Sequence, residues 1–337
     1  MVKRIRLRFT STLEIDFVDR DLALKRVEEW ASKGTRFPVV VYGPEGCGKT
    51  AWLRQSAEIL REAGYNVIYV DPIHKDFTAY TDLSEVVKRL AEAVADVVGA
   101  ELRLAMLVVD LVKHMIKSGK KRVAILVDDA FQAIGLNRAA IYIKSLLGLI
   151  EYPPGDYEKI VAIVTTSEGV SRKEIGRHRW AELLPMWNMA IDGFKQLYNM
   201  IPGDKPLFDD VWRLAGGNPW MLARLYESNW NVEQVVDSIV KEKNLIKLIS
   251  QLSNEEKRLL AKSIDNPDAL MSREGMQLLN KLVELNLMID DLHFRKQIYW
   301  IDKPPPEEDL QLGIGRVNAW QTPIYREAIK KALKIVN

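Results

Sequence analysis

Val39-Val40-Val41-Tyr42-Gly43-Pro44-Glu45-Gly46-Cys47-Gly48-Lys49-Thr50 decides the fold of this chain. Within it, Gly43-x-x-x-x-Gly48-Lys49-Thr50 is a complete P-loop (Walker A) pattern. The β-branched run before the loop reads as a buried strand. Residues 51–63, with Trp52, Leu53, Ala57 and Leu60 on one face, read as a helix. Strand, glycine-rich loop and helix are what phosphate binding requires. Glycines let the backbone bend, successive N–H groups turn inward, and the positive helix end faces the same anion. Lys49 reaches the β and γ phosphates, and the Thr50 hydroxyl ligates magnesium. The expected cofactors are a nucleoside triphosphate and Mg2+. The contacts fall to Gly43, Pro44, Glu45, Gly46, Cys47, Gly48, Lys49, Thr50 and Ala51.

Downstream, residues 66–70 read as a second core strand and 82–118 as mostly helical, with a break near Gly99. Residues 123–127 read as a third strand ending in Asp128-Asp129, and 137–150 as a helix. A fourth strand, 160–164, ends in Thr165-Thr166-Ser167, and 183–186 is a short fifth. Continuous apolar strands alternating with helices predict a parallel sheet covered on both faces. Its C-terminal edge is where ligands bind. Residues 124–129 there form a Walker B candidate, with Asp128 holding magnesium and Asp129 polarising the attacking water. One strand lies between the two Walker strands in sequence and another follows, which suits the class with an extra strand inserted between them. Thr165, ending that strand, either meets the γ-phosphate and lytic water or caps the next turn. Gly176-Arg177-His178-Arg179 is the best source of a transition-state arginine, Arg177 first and Arg179 second, against a solvated basic loop. No Asn-Lys-x-Asp pattern follows the strands, so ATP is favoured over GTP.

With 337 residues, 47% hydrophobic and 28% charged, the chain is an ordinary globular protein of two or three domains. A net charge of +2 announces no nucleic-acid or membrane partner. One cysteine, Cys47, excludes an internal disulfide. No signal peptide is legible, and residues 102–116, interrupted by Asp110, Lys113 and His114, are too short and polar to span a bilayer. A cytoplasmic location is expected. Upstream, 5–18 alternate as a short hairpin or extended arm, and Asp19-Arg20-Asp21 opens a helix over 22–32. After 191, helices are expected at 193–199, 207–215 and 220–226, the last beginning at Asn218-Pro219. Ser253-Asn254-Glu255-Glu256 resembles a capping box opening a helix to 263. A further segment runs from Ser272, 287–290 and 316–320 read as strands, and 323–335 is a closing helix. That order suggests a winged helix.

These residues resemble the archaeal ATPases of the STAND class, relatives of AAA+ proteins. Phe17-Val18-Asp19-Arg20-Asp21 is similar to the family's Phe-x-Gly-Arg-Glu motif near the adenine. Leu214-Ala215-Gly216-Gly217-Asn218-Pro219 resembles the Gly-Gly-x-Pro motif of its helical lid. The resemblance implies that Arg20 lies near the adenine and that Pro219 packs near the nucleotide, coupling the lid to its state. Asp19 departs from the family's glycine. Glu168 replaces an arginine after Thr-Ser, which shifts weight to Arg177 in the matching Gly-Arg.

The expected fold class is α/β. A P-loop NTPase core with a parallel sheet (AAA+/STAND type) spans 1–190, a small helical lid 191–243, and a C-terminal winged helix 244–337. The expected function is an ATP-binding, ATP-hydrolysing switch acting on a protein partner, with an oligomer required if the arginine acts in trans. The alternative is a DNA-binding initiator or regulator similar to archaeal origin-recognition proteins. Against it, residues 241–337 carry 16 Lys and Arg against 14 Asp and Glu. For it, Arg273, Gln277, Asn280 and Lys281 are expected on the open face of a recognition helix, and Arg295-Lys296 on the wing. Trp300 and Trp320 read as core.

Overall fold

A computed structural model describes residues 3–95, 100–167, 169–290 and 292–336. The chain divides into two compact units. The first is Met1–Ile5, Arg20–Tyr42 and Lys49–Pro185; the second is Arg6–Asp19, Gly43–Gly48 and Met186–Asn337. Of the two N-terminal alternatives the chain forms the hairpin: β1 (Arg6–Arg8) and β2 (Glu14–Asp16) pair antiparallel and belong to the second unit.

The first unit runs α1 (Asp21–Lys33), β3 (Val39–Tyr42), α2 (Lys49–Glu62), β4 (Asn66–Asp71), β5 (Asp76–Tyr80), α3 (Ser84–Ala95) and α4 (Ala100–Lys117). It continues through β6 (Arg122–Val127), α5 (Ala130–Ile134), α6 (Leu136–Glu151), β7 (Lys159–Thr166), α7 (Gly169–Gly176) and β8 (Glu182–Pro185). The sheet order is β5-β4-β6-β7-β3-β8. Every pairing is parallel except β5 against β4. β7 therefore lies between the strand entering the P-loop and the strand carrying Asp128-Asp129, the insertion that the strand count predicts. Side chains alternate across the sheet. Ile68, Val70, Val123, Ile125, Val127, Ala162 and Val164 face the core built with α3, α4 and α6. The residues between them face α2, which packs on β4, β6 and β7.

Sequence reading misses β5. Its residues are half-buried throughout and include Asp76 and Thr78, because an edge strand needs no continuous apolar run. It also misses α5, a short helix that Gly135 separates from α6 at φ 79°. The expected break near Gly99 lies outside the described residues.

The second unit continues with α8 (Ile191–Met200), α9 (Phe208–Ala215), α10 (Pro219–Glu227), α11 (Val232–Glu242) and α12 (Leu245–Ser250). Then come α13 (Asn254–Asp265), α14 (Gly275–Glu284), β9 (Met288–Ile289), β10 (Ala319–Trp320) and α15 (Ile324–Val336). One apolar core takes side chains from Met189 through Leu333. The capping box is present: Ser253 Oγ accepts the Glu256 N–H (3.2 Å), and Glu256 Oε2 accepts the Ser253 N–H (2.8 Å). β9 and β10 pair antiparallel across a long intervening segment. Within that segment Gln297–Tyr299 is a 3₁₀ turn. Asp268 accepts the N–H groups of Arg316 (2.7 Å), Val317 (3.2 Å) and Asn318 (2.8 Å). Arg295 Nη2 donates to the carbonyls of Gly315 (2.6 Å) and Arg316 (3.0 Å). Arg295, expected on the wing, lies in this segment between β9 and β10 and is half-buried there by these bonds. Trp300 and Trp320 are buried, each indole N–H satisfied by a carbonyl. Among the described residues, no helix is long and apolar enough to cross a membrane.

Ile125 sits fully buried at the centre of β6. Ile125→Val should cost about 1 kcal/mol and Ile125→Ala about 2–5 kcal/mol, read as shifts in a denaturant midpoint. An Ile125→Ala variant as stable as the parent would contradict this packing.

Candidate phosphate-loop and acidic-strand site

Asp128 follows the last residue of β6, and its N–H donates to the Val70 carbonyl (2.9 Å). Register then sets its neighbours. Val127 pairs with Val164 on β7, so the next residue there, Thr165, stands beside Asp128. On the other side Tyr69 pairs with Leu126, two residues before Asp128 and on the same face. The Thr165 hydroxyl donates to Asp128 Oδ1, and the Tyr69 hydroxyl donates to Oδ2 (3.2 Å). The Thr50 hydroxyl also bonds to this carboxylate. Asp128 is 1% exposed. Burial, and after it the neighbouring Asp129 charge, push its carboxyl up to about 6, while donation from Thr165 and Thr50 opposes them.

Asp129 sits in the left-handed region at φ 38°, a conformation that Asp and Asn tolerate, and begins α5. Its Oδ1 accepts the Ser167 N–H (3.1 Å) and hydroxyl (3.2 Å). Its N–H donates to Thr165 Oγ1 (3.2 Å). Thr165 therefore bridges both acidic residues. Lys49 and Thr50 are the first residues of α2, and Lys49 is buried. Arg177 follows α7, exposed and paired with Glu174 (3.1 Å). His178 stacks on Trp180 (3.9 Å between centroids) and Arg179 is exposed. Arg20 is buried and left-handed at φ 63°, capping α1. Glu168 lies outside the described residues.

The loop Gly43–Gly48 belongs to the second unit and is held there by the Gly-Gly-Asn-Pro turn. Asn218 Nδ2 donates to the Glu45 carbonyl (2.8 Å) and to Asn188 Oδ1 (3.0 Å). Asn218 Oδ1 accepts the Met221 N–H (3.0 Å) and so caps α10. The Trp220 N–H donates to the Gly46 carbonyl (3.2 Å). Gly46 has φ 75°, and a Cβ there would lie 2.4 Å from Trp220 Cβ, so this position excludes any side chain. Pro219 Cγ lies 3.9 Å from where a Gly48 Cβ would sit. Glu45 donates its N–H to Gln321 Oε1 (2.8 Å), and its carboxylate pairs with Lys243 (3.0 Å). Cys47 is fully buried.

Sequence reading therefore names Lys49, Thr50, Asp128, Asp129, Thr165 and Pro219 but misses Tyr69, Arg54, Asn188 and Gln321. Asn188 had a weak signal, a lone amide among Met186, Trp187 and Met189. Tyr69 had none, because it is one aromatic in an apolar strand.

A family profile described as an ATPase domain predominantly from Archaea matches residues 17–225. No curated protein matches the sequence. The chain is similar to solved structures at low identity. The Aeropyrum pernix ORC2 protein (ADPNP-ADP complexes) is 11% identical with a TM-score of 0.46, covering 97% of each chain. Cdc6p from Pyrobaculum aerophilum is 14% identical with a TM-score of 0.40, covering 98% of this chain and 99% of that one. AMPPCP-bound DnaA from Aquifex aeolicus is 16% identical with a TM-score of 0.39, covering 80% and 84%. Likeness at this level is too remote to bear on function.

The environment of Asp128 gives stability a pH dependence that can be tested without added metal. Its carboxyl titrates near 6 folded, against an ordinary 3.8. Folding thus takes up a proton between those values. This group's stabilising contribution is complete below about pH 4 and is lost as pH rises through about 6. Asp128→Asn removes the buried charge and keeps one of the two acceptor oxygens. Urea unfolding should show the variant gaining up to about 3 kcal/mol on the parent at pH 7.5, with the gap closing near pH 4. A gap independent of pH would contradict this.

Proposed function

Because the chain belongs to the family of ATPase domains found predominantly in Archaea, we propose that it binds ATP with Mg2+, hydrolyses it, and passes the nucleotide state through a helical lid to a C-terminal winged helix acting on a protein partner. In this reading, residues 191–243 are the lid, 244–337 are the winged helix, and the setting is cytoplasmic. The P-loop N–H groups and Lys49 hold the phosphates, and Arg20 and Pro219 flank the nucleotide.

The donor set suits magnesium, a hard cation that takes one or two carboxylates with substrate phosphates rather than a full protein cage. Thr50 and Asp128 supply a hydroxyl and a carboxylate already bonded to each other. When bound, the metal would neutralise charge on the transferred phosphoryl. Asp129 is the base. Its Oδ1 is fixed by Ser167, and among the described residues Oδ2 has no hydrogen-bond partner, which leaves Oδ2 to accept the proton of the attacking water. Arg177 leaves an exposed ion pair at small cost and can then stabilise the phosphoryl charge, within one chain or between copies in an oligomer.

One observation supports the switch more than any other. Glu45, inside the phosphate loop, is bonded at its carbonyl by Asn218, at its N–H by Gln321 and at its carboxylate by Lys243. A loop tied at three points to residues 218, 243 and 321 cannot rearrange around a phosphate without those residues responding. A second reading, a DNA-binding regulator, draws support from Arg273, Gln277, Asn280 and Lys281, all exposed on or just before α14.

Lys49→Ala should abolish binding of fluorescent ATP. Asp129→Asn keeps the Oδ1 acceptor and tolerates the left-handed backbone, so it should bind ATP normally while turnover falls about 10²–10⁴-fold. Undiminished phosphate release by Asp129→Asn would remove Asp129 as the base. On the second reading, Arg273→Ala with Lys281→Ala should weaken DNA binding and flatten its dependence on salt by about two charges. Absence of any DNA affinity at low salt would rule that reading out.

A further inference from the structure

The carboxylate of Asp128 has a support that lies outside both Walker motifs. Tyr69 is 1% exposed on β4, among Val67, Ile68 and Val70. A buried hydroxyl in such a strand is costly unless bonded. Its partners are Asp128 Oδ2, to which it donates (3.2 Å), and Arg54, whose Nε–H donates to the phenol oxygen (3.1 Å). Arg54 lies one helical turn after Thr50 on α2, so both reach the same face of the sheet. Its guanidinium sits 5.2 Å from the centroid of the Tyr69 ring and is anchored by Asp76 (2.8 Å). A guanidinium can only donate. The phenol oxygen must therefore accept from Arg54, and its one proton is left to point at Asp128. Thr165 holds the other carboxylate oxygen, so both oxygens, and hence the carboxylate plane, are set from opposite neighbouring strands.

We propose that Tyr69, oriented by Arg54, is a positioning residue that fixes the Asp128 carboxylate for the metal. The inference rests on the reading of Asp128 as a metal-bearing group. Both Tyr69 and Arg54 act through Asp128. Their effect is on how well Asp128 is pre-oriented, and outer-shell partners of this kind are worth about 10–100-fold in metal affinity.

The test is Mn2+ binding to the full chain loaded with AMPPNP, followed by the electron paramagnetic resonance signal of free Mn2+. Fluorescent-ATP binding in EDTA serves as the metal-free measurement. Tyr69→Phe should weaken Mn2+ about 10-fold and leave nucleotide binding in EDTA unchanged. Arg54→Met, which leaves Tyr69 in place and keeps the variant set informative if Tyr69→Phe fails to fold, should weaken Mn2+ about 3-fold. In an Asp128→Ala background, Tyr69→Phe should have no further effect. Mn2+ affinity unchanged in both single variants, or a full additional loss in the Asp128→Ala background, would overturn the inference. Unchanged Mn2+ affinity in Asp128→Ala itself would instead overturn the metal reading beneath it.

Discussion

A carboxylate buried at the end of a central strand must be surrounded by donors, and that requirement organises the first unit. Asp128 takes hydroxyl bonds from α2, β4 and β7 through Thr50, Tyr69 and Thr165. These donors can converge only if β6 lies between β4 and β7 and if α2 crosses the same face, which is the observed topology. The sheet is therefore more than a scaffold presenting an acidic pair at its edge. Its register decides which hydroxyl meets which oxygen, and a slip of one residue would turn Thr165 to the other face. Leaving the carboxyl high in pKa is the residual cost of burial that hydroxyls offset only in part.

The second unit has a comparable centre in Asn218. One buried amide caps α10, holds the Glu45 carbonyl and meets Asn188, which in turn donates to the Gln321 carbonyl (2.7 Å). An alanine there would lose a helix cap and leave polar partners unpaired at once. The Gly-Gly-Asn-Pro sequence is understood through this geometry. Proline presets the first helical turn, asparagine caps it, and Gly46 permits the Trp220 backbone to approach. Asp19, which replaces the glycine that the resemblance leads one to expect, finds space beside Gly193, where a Cβ would lie 1.9 Å from its Oδ2.

Features with strong local physics were legible in the sequence. The P-loop, the apolar strands, the inserted strand and the Ser253–Glu256 capping box each depend on residues close together in the chain. Features that depend on the tertiary context were not. β5 escapes because edge strands lack a periodic signature. The helices α11 and α12 were passed over although Val235, Val236, Ile239 and Val240 follow helical spacing and Asn231 caps the first of them. The partners of the acidic site were hidden more deeply. Nothing in Asn66–Asp71 marks Tyr69 as different from a core aromatic until the register sets it two residues below Asp128. The sequence likewise gives no sign that Arg295 donates to the carbonyls of Gly315 and Arg316, because those partners lie twenty or more residues away.

The proposed function depends on Thr50 and Asp128 together holding the metal of a bound triphosphate. Crystals of the unaltered chain grown with AMPPNP and Mn2+ would test it most directly through the manganese anomalous signal. One manganese peak is expected, beside the Thr50 hydroxyl and within one water of the Asp128 carboxylate. Phosphates seated in the loop with manganese remote from both residues would contradict it.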